Sequence, residues 1–344
     1  MDFLRRVLGM SRDVPKEDSI TITHDHTDPA PPPEPQIENP PEPGQAKTSI
    51  PQSDNSNEVV EAVPLDTPLP IAGTRPLPPL ETVIPKPGQR LVFGQMSDVG
   101  MVRGNNQDAS FSMICSGTSS DDLPDFGLFI VADGMGGHHD GEKASAMTAR
   151  LVARHVVDAI LAVLLDQHMD DPDRPAISDV LRTAVQKANE AVTSEIPEGG
   201  TTVTATVILG DLAYIAHVGD SRAYMITDDG IEQITRDHSL VQRLIELDQL
   251  TVEEAAEHPQ RNVLYRAIGQ SDTLDVDAIT RRLLPRSRLL LCSDGLWNLV
   301  PEGMIREVVS KYSSPQEACN QLVKMANERG GPDNITIILV QMPG

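Results

Sequence analysis

Five aspartates stand at the margins of apolar runs. Asp108 follows Asn105-Asn106-Gln107, Asp133 follows the run that ends in Ala132, Asp220 follows Val218-Gly219, Asp294 follows Cys292-Ser293, and Asp333 precedes Asn334. One aspartate at a strand end is ordinarily a turn former, its side chain bonding nearby backbone amides. Five are harder to explain that way, because the ends of adjacent strands converge and gathered carboxylates repel unless cations neutralise them. The candidate ligands are all oxygen donors, with no paired Cys or His, which suits hard ions such as Mg²⁺ and Mn²⁺. Two ions about 3.5–4 Å apart, sharing a carboxylate and a bridging water, would lower that water's pKa from about 15.7 toward about 7. The natural chemistry is in-line attack of the resulting hydroxide on phosphorus, with no protein nucleophile.

Other sources of chemistry are missing. The glycines of Gly134-Met135-Gly136-Gly137 could cradle a phosphate, yet the chain has no G-x-x-x-x-G-K-[ST] pattern, no G-x-S-x-G elbow and no H-E-x-x-H. His24-Asp25-His26 looks metal-like but lacks a second half.

The elements that must position the aspartates begin near Leu91. Phe126–Val131 is a continuous apolar run leading to Asp133-Gly134, as in a buried strand entering a tight turn. Gly141 to about Gln167 reads as a helix with Val152, Val156, Ile160 and Val163 on one face. A second helix, capped by Ser178, carries Leu181, Ala184, Val185, Ala188 and Val192 at helical spacing. Strands are expected over Thr201–Leu209 and Leu212–Val218 around Gly210-Asp211, and over Arg222–Ile226 and Ile231–Thr235 around Asp228-Asp229-Gly230. Arg288–Cys292 and Ile335–Val340 are further strands, and a helix runs from Ser314-Pro315 to Gly330-Gly331. Residues 252–268 read as a mobile lid. Hairpins join the strands while helices come in pairs, which makes the fold class α+β with antiparallel sheets and helices outside.

Composition sets the rest of the frame. Runs such as Pro31-Pro32-Pro33-Glu34-Pro35 and Pro40-Pro41-Glu42-Pro43 mark 1–88 as a disordered Pro-rich tail and linker, short of the apolar residues needed to offset the entropy of ordering. Within it, Phe3, Leu4, Val7 and Leu8 with Arg5, Arg6 and Arg12 could form a short amphipathic helix over 1–13, a docking peptide for a protein partner or a weak membrane contact. The net charge of −23 falls mostly on the globular part and disfavours nucleic acid and anionic membrane. Three scattered cysteines, Cys115, Cys292 and Cys319, show neither a disulfide framework nor zinc-ligand spacing. With no apolar run of about 18 residues and no signal core, the expected location is cytoplasmic.

Seven segments occur in one order: Val102-Arg103-Gly104-Asn105-Asn106-Gln107-Asp108, Val131-Ala132-Asp133-Gly134-Met135-Gly136-Gly137-His138, Gly200-Thr201-Thr202, Val218-Gly219-Asp220-Ser221-Arg222, Asp237-His238-Ser239-Leu240-Val241, Ser293-Asp294-Gly295-Leu296-Trp297 and Gly331-Pro332-Asp333-Asn334. This series resembles the metal-dependent (type 2C) Ser/Thr protein phosphatase family in its bacterial form, across essentially all of Leu91–Gln341. The resemblance implies a four-layer α-β-β-α sandwich with two central antiparallel sheets over 89–344, with a flap around 236–270. It implies hydrolysis of phosphoserine and phosphothreonine with two Mg²⁺ or Mn²⁺ ions and a third, weaker one. Asp133 would bridge two ions, joined by the Gly134 carbonyl, and Asp294 and Asp333 would complete the first ion's set. Asp108 would serve the second ion's shell, and Asp220, with Asp294, the third. Arg103 resembles the residue that grips the substrate phosphate, and His138 would protonate the leaving oxygen. Many relatives have glutamate where this chain has Gln107, which gives the second ion less charge. Expected partners are phosphorylated proteins, such as Ser/Thr kinases or their substrates. A phosphatase-like scaffold that binds without catalysis is the alternative.

Overall fold

The computed structural model describes residues 90–117, 124–137, 139–165 and 175–344. The tail and linker expected over 1–88, its possible helix over 1–13, and His138 lie outside the described residues.

Strand β3 (Phe126–Gly136) explains why its sequence is apolar without alternation: most of it is buried on both faces. Leu128 and Ile130 point to a helical layer, while Phe129 and Val131, of opposite parity, point to a second sheet. The sheet containing β3 has the order β2 (Asp108–Cys115), β3, β5 (Val203–Leu209), β6 (Leu212–Val218), β9 (Asp277–Arg282), with β4 (Gly199–Thr201) paired to the end of β3. The other has the order β1 (Val92–Asp98), β11 (Ile335–Gln341), β10 (Arg288–Cys292), β7 (Arg222–Ile226), β8 (Ile231–Gln233). Every strand pair is antiparallel.

Three apolar cores glue four layers. Between the sheets lie Phe129, Val131, Ile215, Leu289, Leu291, Ile338 and Val340. Outside one sheet pack α1 (Asp140–Val156) and α2 (Ile177–Glu195), through Val152, Val156, Val185 and Val192. Outside the other pack α6 (Glu302–Lys311) and α7 (Pro315–Glu328), through Ile305, Val309, Leu322 and Val323. This is the α+β, four-layer α-β-β-α sandwich that the sequence implied.

Local departures have local causes. Asp133-Gly134 is not a turn: β3 continues to Gly136 because its last three residues pair with Gly199–Thr201. Ser178 is not a cap: α2 starts one residue earlier, behind Ala176, and has no side-chain cap. Ser314 does cap α7, accepting from the Glu317 amide, with Pro315 in the first turn. Helix α1 passes into a π-helical turn at Val157–Leu161 and a last turn at Ala162–Leu165. β8 stops at Gln233 rather than Thr235, since the Thr235 hydroxyl already accepts from the Ala223 amide. The flap span holds α3 (Leu240–Glu246), capped by Ser239, and α4 (Val252–Ala256), closed by a Thr251/Glu254 capping box. Single bridges tie it back at Ser239–Leu264 and Thr201–Ile268.

Candidate active site

Register brings the first two carboxylates together. Asp108 opens β2 directly opposite Asp133 of β3, an arrangement that destabilises a sheet when both residues are charged. The other aspartates arrive from the ends of the facing sheet and from its neighbouring turns. Asp294 begins the short helix α5 (Asp294–Trp297) just after β10, Asp333 lies just before β11, and Asp220 lies in the bend between β6 and β7.

Backbone bonds fix these positions. The Asp133 carbonyl accepts from the Thr202 amide at 2.9 Å and from the Thr201 hydroxyl at 2.8 Å, and the Asp133 amide donates to Thr202 Oγ1 at 3.0 Å. The next residue must be glycine: a Cβ at Gly134 would stand 2.2 Å from the Gly141 carbonyl oxygen and 2.5 Å from that of Gln107. The Gly134 amide donates to the Gln107 carbonyl at 3.1 Å, tying β3 to the loop before β2.

Burial and mutual repulsion dominate the electrostatics of these carboxyls. Burial, then the charges of Asp108, Asp294, Asp220 and Asp333, holds the Asp133 carboxyl well above the usual range. Burial and the charges of Asp220, Asp333 and Asp108 do the same to Asp294. Asp108 is pushed up to about 6 by burial, against hydrogen bonds from Thr336 and Ser293 that favour its charged form. Asp220 is pushed up to about 7 by burial and by Asp237. Each carboxyl is thus short of positive charge.

Arg103 is the cation that meets the set. Its Nη2 donates to Asp333 Oδ2 at 2.7 Å, and the pair is partly exposed. That bond, opposed by partial burial and reinforced by the charges of Asp333, Asp133 and Asp294, holds the guanidinium pKa above its ordinary value. Asp108 Oδ2 accepts from Ser293 Oγ at 2.8 Å, whereas Asp108 Oδ1 is buried with no hydrogen-bond partner. Asp294 Oδ2 accepts from Asn298 Nδ2 at 3.2 Å. Among the described residues, no group of three or more His, Cys, Asp and Glu side chains is gathered closely enough to hold a metal ion as it stands. What stands there is an open, oxygen-only set with an orphaned carboxylate oxygen, which fits Mg²⁺ or Mn²⁺ better than a softer metal.

Several supporting residues were not singled out by chemistry in the sequence. Asn334 is buried and makes three bonds: Oδ1 accepts from the Gln107 amide at 2.8 Å, and Nδ2 donates to the carbonyls of Val99 at 2.9 Å and Asn105 at 3.0 Å. It pins the Arg103 loop to the head of β11. Ser293 also accepts from the Thr336 amide at 2.9 Å, so it couples Asp108 to that strand. Trp297 Nε1 donates to the Asp220 carbonyl at 3.0 Å while its ring lies 3.6 Å under the Arg222 guanidinium. Arg222 in turn grips Asp237 at 2.7 Å, so it anchors Asp220's bend. The only advance signal for these residues was their place inside the same short segments as the aspartates. Gln107, whose Nε2 donates to the Gly136 carbonyl at 3.4 Å, lies between Arg103 and Asp108. His139 pairs with Glu142 at 3.2 Å on the exposed start of α1.

Comparison with known proteins agrees with this fold. The family profile described as Protein phosphatase 2C matches residues 101–329. The Serine/threonine phosphatase stp of Listeria welshimeri is 34% identical over 245 residues, covering 71% of this chain and 93% of the relative. The Protein phosphatase PhpP of Streptococcus pneumoniae is 36% identical over 248 residues, covering 72% of this chain and 96% of the relative. Among solved structures, the Mycobacterium tuberculosis serine/threonine phosphatase PstP/Ppp superposes with a TM-score of 0.60 at 31% identity, covering 74% of this chain and 99% of that one. A PstP catalytic domain solved in complex with two manganese ions superposes with a TM-score of 0.56 at 30% identity, covering 73% of this chain and 97% of that one. Five convergent carboxylates on a two-sheet sandwich, matched over most of the chain by these relatives, place the protein in the protein phosphatase 2C family.

Proposed function

We propose that Asp108, Asp133, Asp220, Asp294 and Asp333, with the Gly134 carbonyl, hold the ions with which this protein phosphatase hydrolyses phosphoserine and phosphothreonine. The observation that carries the reading is the juxtaposition of Asp108 and Asp133 across one register position, with one Asp108 oxygen buried and unpartnered. Asp133 would be shared between two ions, Asp294 and Asp333 would complete one set, Asp108 would serve the second, and Asp220 would hold a third. Bound Mg²⁺ or Mn²⁺ would supply a water acidic enough to yield hydroxide near neutral pH.

The protein's own groups do the remaining work. Arg103, on a loop pinned by Asn334, presents a planar fork suited to two phosphate oxygens. Asp333 holds that fork at the edge of the carboxylate set. The leaving serine or threonine oxygen needs a proton, and His138 is our candidate donor from its position in the sequence. The relatives matched over most of the chain are protein phosphatases, which disfavours a scaffold role without catalysis.

The substrates we propose are phosphorylated proteins, Ser/Thr kinases or their targets among them. We place the activity in the cytoplasm: Cys115, Cys292 and Cys319 are free thiols, as in a reducing compartment, and no helix among the described residues is long and apolar enough to cross a membrane. The test is turnover of p-nitrophenyl phosphate and of a phosphothreonine peptide with Mn²⁺, Mg²⁺ or EDTA. Turnover should require an added ion and stop with EDTA; full activity in EDTA overturns the reading.

A further inference from the structure

Beside the carboxylates, under α3, lies a cleft of about 410 Å³ lined by Arg236, His238, Arg243, Tyr265, Arg266 and Asp277. Three guanidiniums converge there in a protein whose net charge is −23. We propose that this cleft binds a second phosphate of the substrate, one that is not being hydrolysed. The proposal rests on the phosphatase reading above and gives it a substrate class: peptides phosphorylated at two nearby positions.

Three observations support it. The cleft adjoins the reaction site, because the His238 amide donates to the Gly219 carbonyl at 2.7 Å and His238 Nδ1 accepts from the Gly219 amide at 3.1 Å. Gly219 immediately precedes Asp220, so these bonds tie the cleft wall directly to the segment that carries one of the five carboxylates. Secondly, carboxylates orient the arginines: Glu246 binds Arg236 and, at 3.2 Å, Arg243, while Arg266 meets Asp277 at 2.8 Å and the exposed Asp275 at 3.2 Å. These carboxylates offset the formal charge, but a guanidinium has five N–H donors and these contacts leave donors to spare. A fork already held in place loses less entropy when it binds. Thirdly, the cleft is open to a ligand, since the side chains of Arg236 and Arg243 are 55% and 56% exposed, and Tyr265 adds a phenol that is 48% exposed.

Phosphate is favoured over a carboxylate because it carries nearly two charges near pH 7 and offers three acceptor oxygens to several forks at once. The test compares, with Mn²⁺ present, a singly phosphorylated peptide, the same peptide with a second phosphoserine at successive positions, and the same peptide with glutamate there. At the best spacing the second phosphate should lower KM about tenfold, and glutamate should lower it much less. Arg243→Ala should remove that gain while leaving p-nitrophenyl phosphate and the singly phosphorylated peptide unchanged; Arg243→Gln serves if the alanine variant misfolds. No preference at any spacing, an equal gain from glutamate, or an equal loss on all substrates overturns the second site. In each of those cases single-phosphate turnover persists, whereas its absence would overturn the phosphatase reading as well.

Discussion

At the scale of single residues, this site spends stability on function. Asp108 and Asp133 face each other across a strand pair with Asp294, Asp220 and Asp333 close enough to raise their protonation. Replacing Asp133 by asparagine keeps the shape and the backbone bonds to Thr201 and Thr202 while removing one repelling charge. We expect Asp133→Asn to lower Mn²⁺-dependent turnover by about a thousandfold or more. In EDTA the variant should be the more stable protein, by about 1 kcal/mol. It should also lose most of the stabilisation that Mn²⁺ gives the unmodified chain, since an ion stabilises only as far as it prefers the folded state. Thermal melts with EDTA and with Mn²⁺ read both effects, and an unaltered response to Mn²⁺ would remove Asp133 from the metal set. The aspartates were legible in the sequence because they stand at the margins of apolar runs and share a donor type. Asn334 and Ser293 were not, because their roles are bonds to backbone and carboxylate groups far away in sequence, visible only after β10 and β11 pair.

At the scale of elements, what holds the site is a small number of polar bolts between strand ends. Asn334 is the clearest, with three bonds joining the head of β11 to the loop that carries Arg103. Asn334→Ala should cost about 3 kcal/mol of stability through lost bonds and an uncompensated buried amide. It should raise KM for p-nitrophenyl phosphate, because the loop loses its anchor; denaturant unfolding and steady-state kinetics measure the two. A second bolt is His217 on β6, fully buried, whose Nε2–H donates to the Arg236 carbonyl at 3.0 Å. Burial first, and then neighbouring His238, lowers its pKa to about 3. A base whose folded pKa is depressed contributes stability above its unfolded value, near 6.5, and that contribution is lost as the pH falls toward 3. Unfolding free energy should therefore decline below about pH 6.5, by up to about 1.4 kcal/mol per pH unit for this proton. His217→Gln should flatten that slope between pH 6.5 and 4; an unchanged slope would assign it elsewhere. Hairpins and long helices were legible from periodicity and turn residues. The extension of β3 past Asp133 was not, since it is set by a remote partner, β4, and no local signal distinguishes it from a turn.

At the scale of the whole molecule, the four layers bring together the strands whose ends carry the carboxylates, all within the described residues from Arg90 onward. Each sheet is closed by its own helix pair, and the inter-sheet core joins β3 and β6 to β10 and β11, the strands whose ends carry the carboxylates. The family profile begins at residue 101, and β1, the first strand among the described residues, is paired along its full length with β11. The acidic charge has a whole-molecule meaning too: only part of it belongs to the metal set, and the remainder disfavours nucleic acid while leaving the arginine cleft as a local exception. A protein beginning at residue 89 should therefore fold with a melting temperature within about 2 °C of the full chain, in line with a stability change of well under 1 kcal/mol. It should hydrolyse p-nitrophenyl phosphate with the same Mn²⁺ requirement. If the tail acts through its Pro-rich length or the apolar face of 1–13, the loss should appear only with whole phosphoproteins, where a docking segment raises effective concentration without touching chemistry. A truncated protein that loses turnover of the small substrate would instead make the tail part of the catalytic domain.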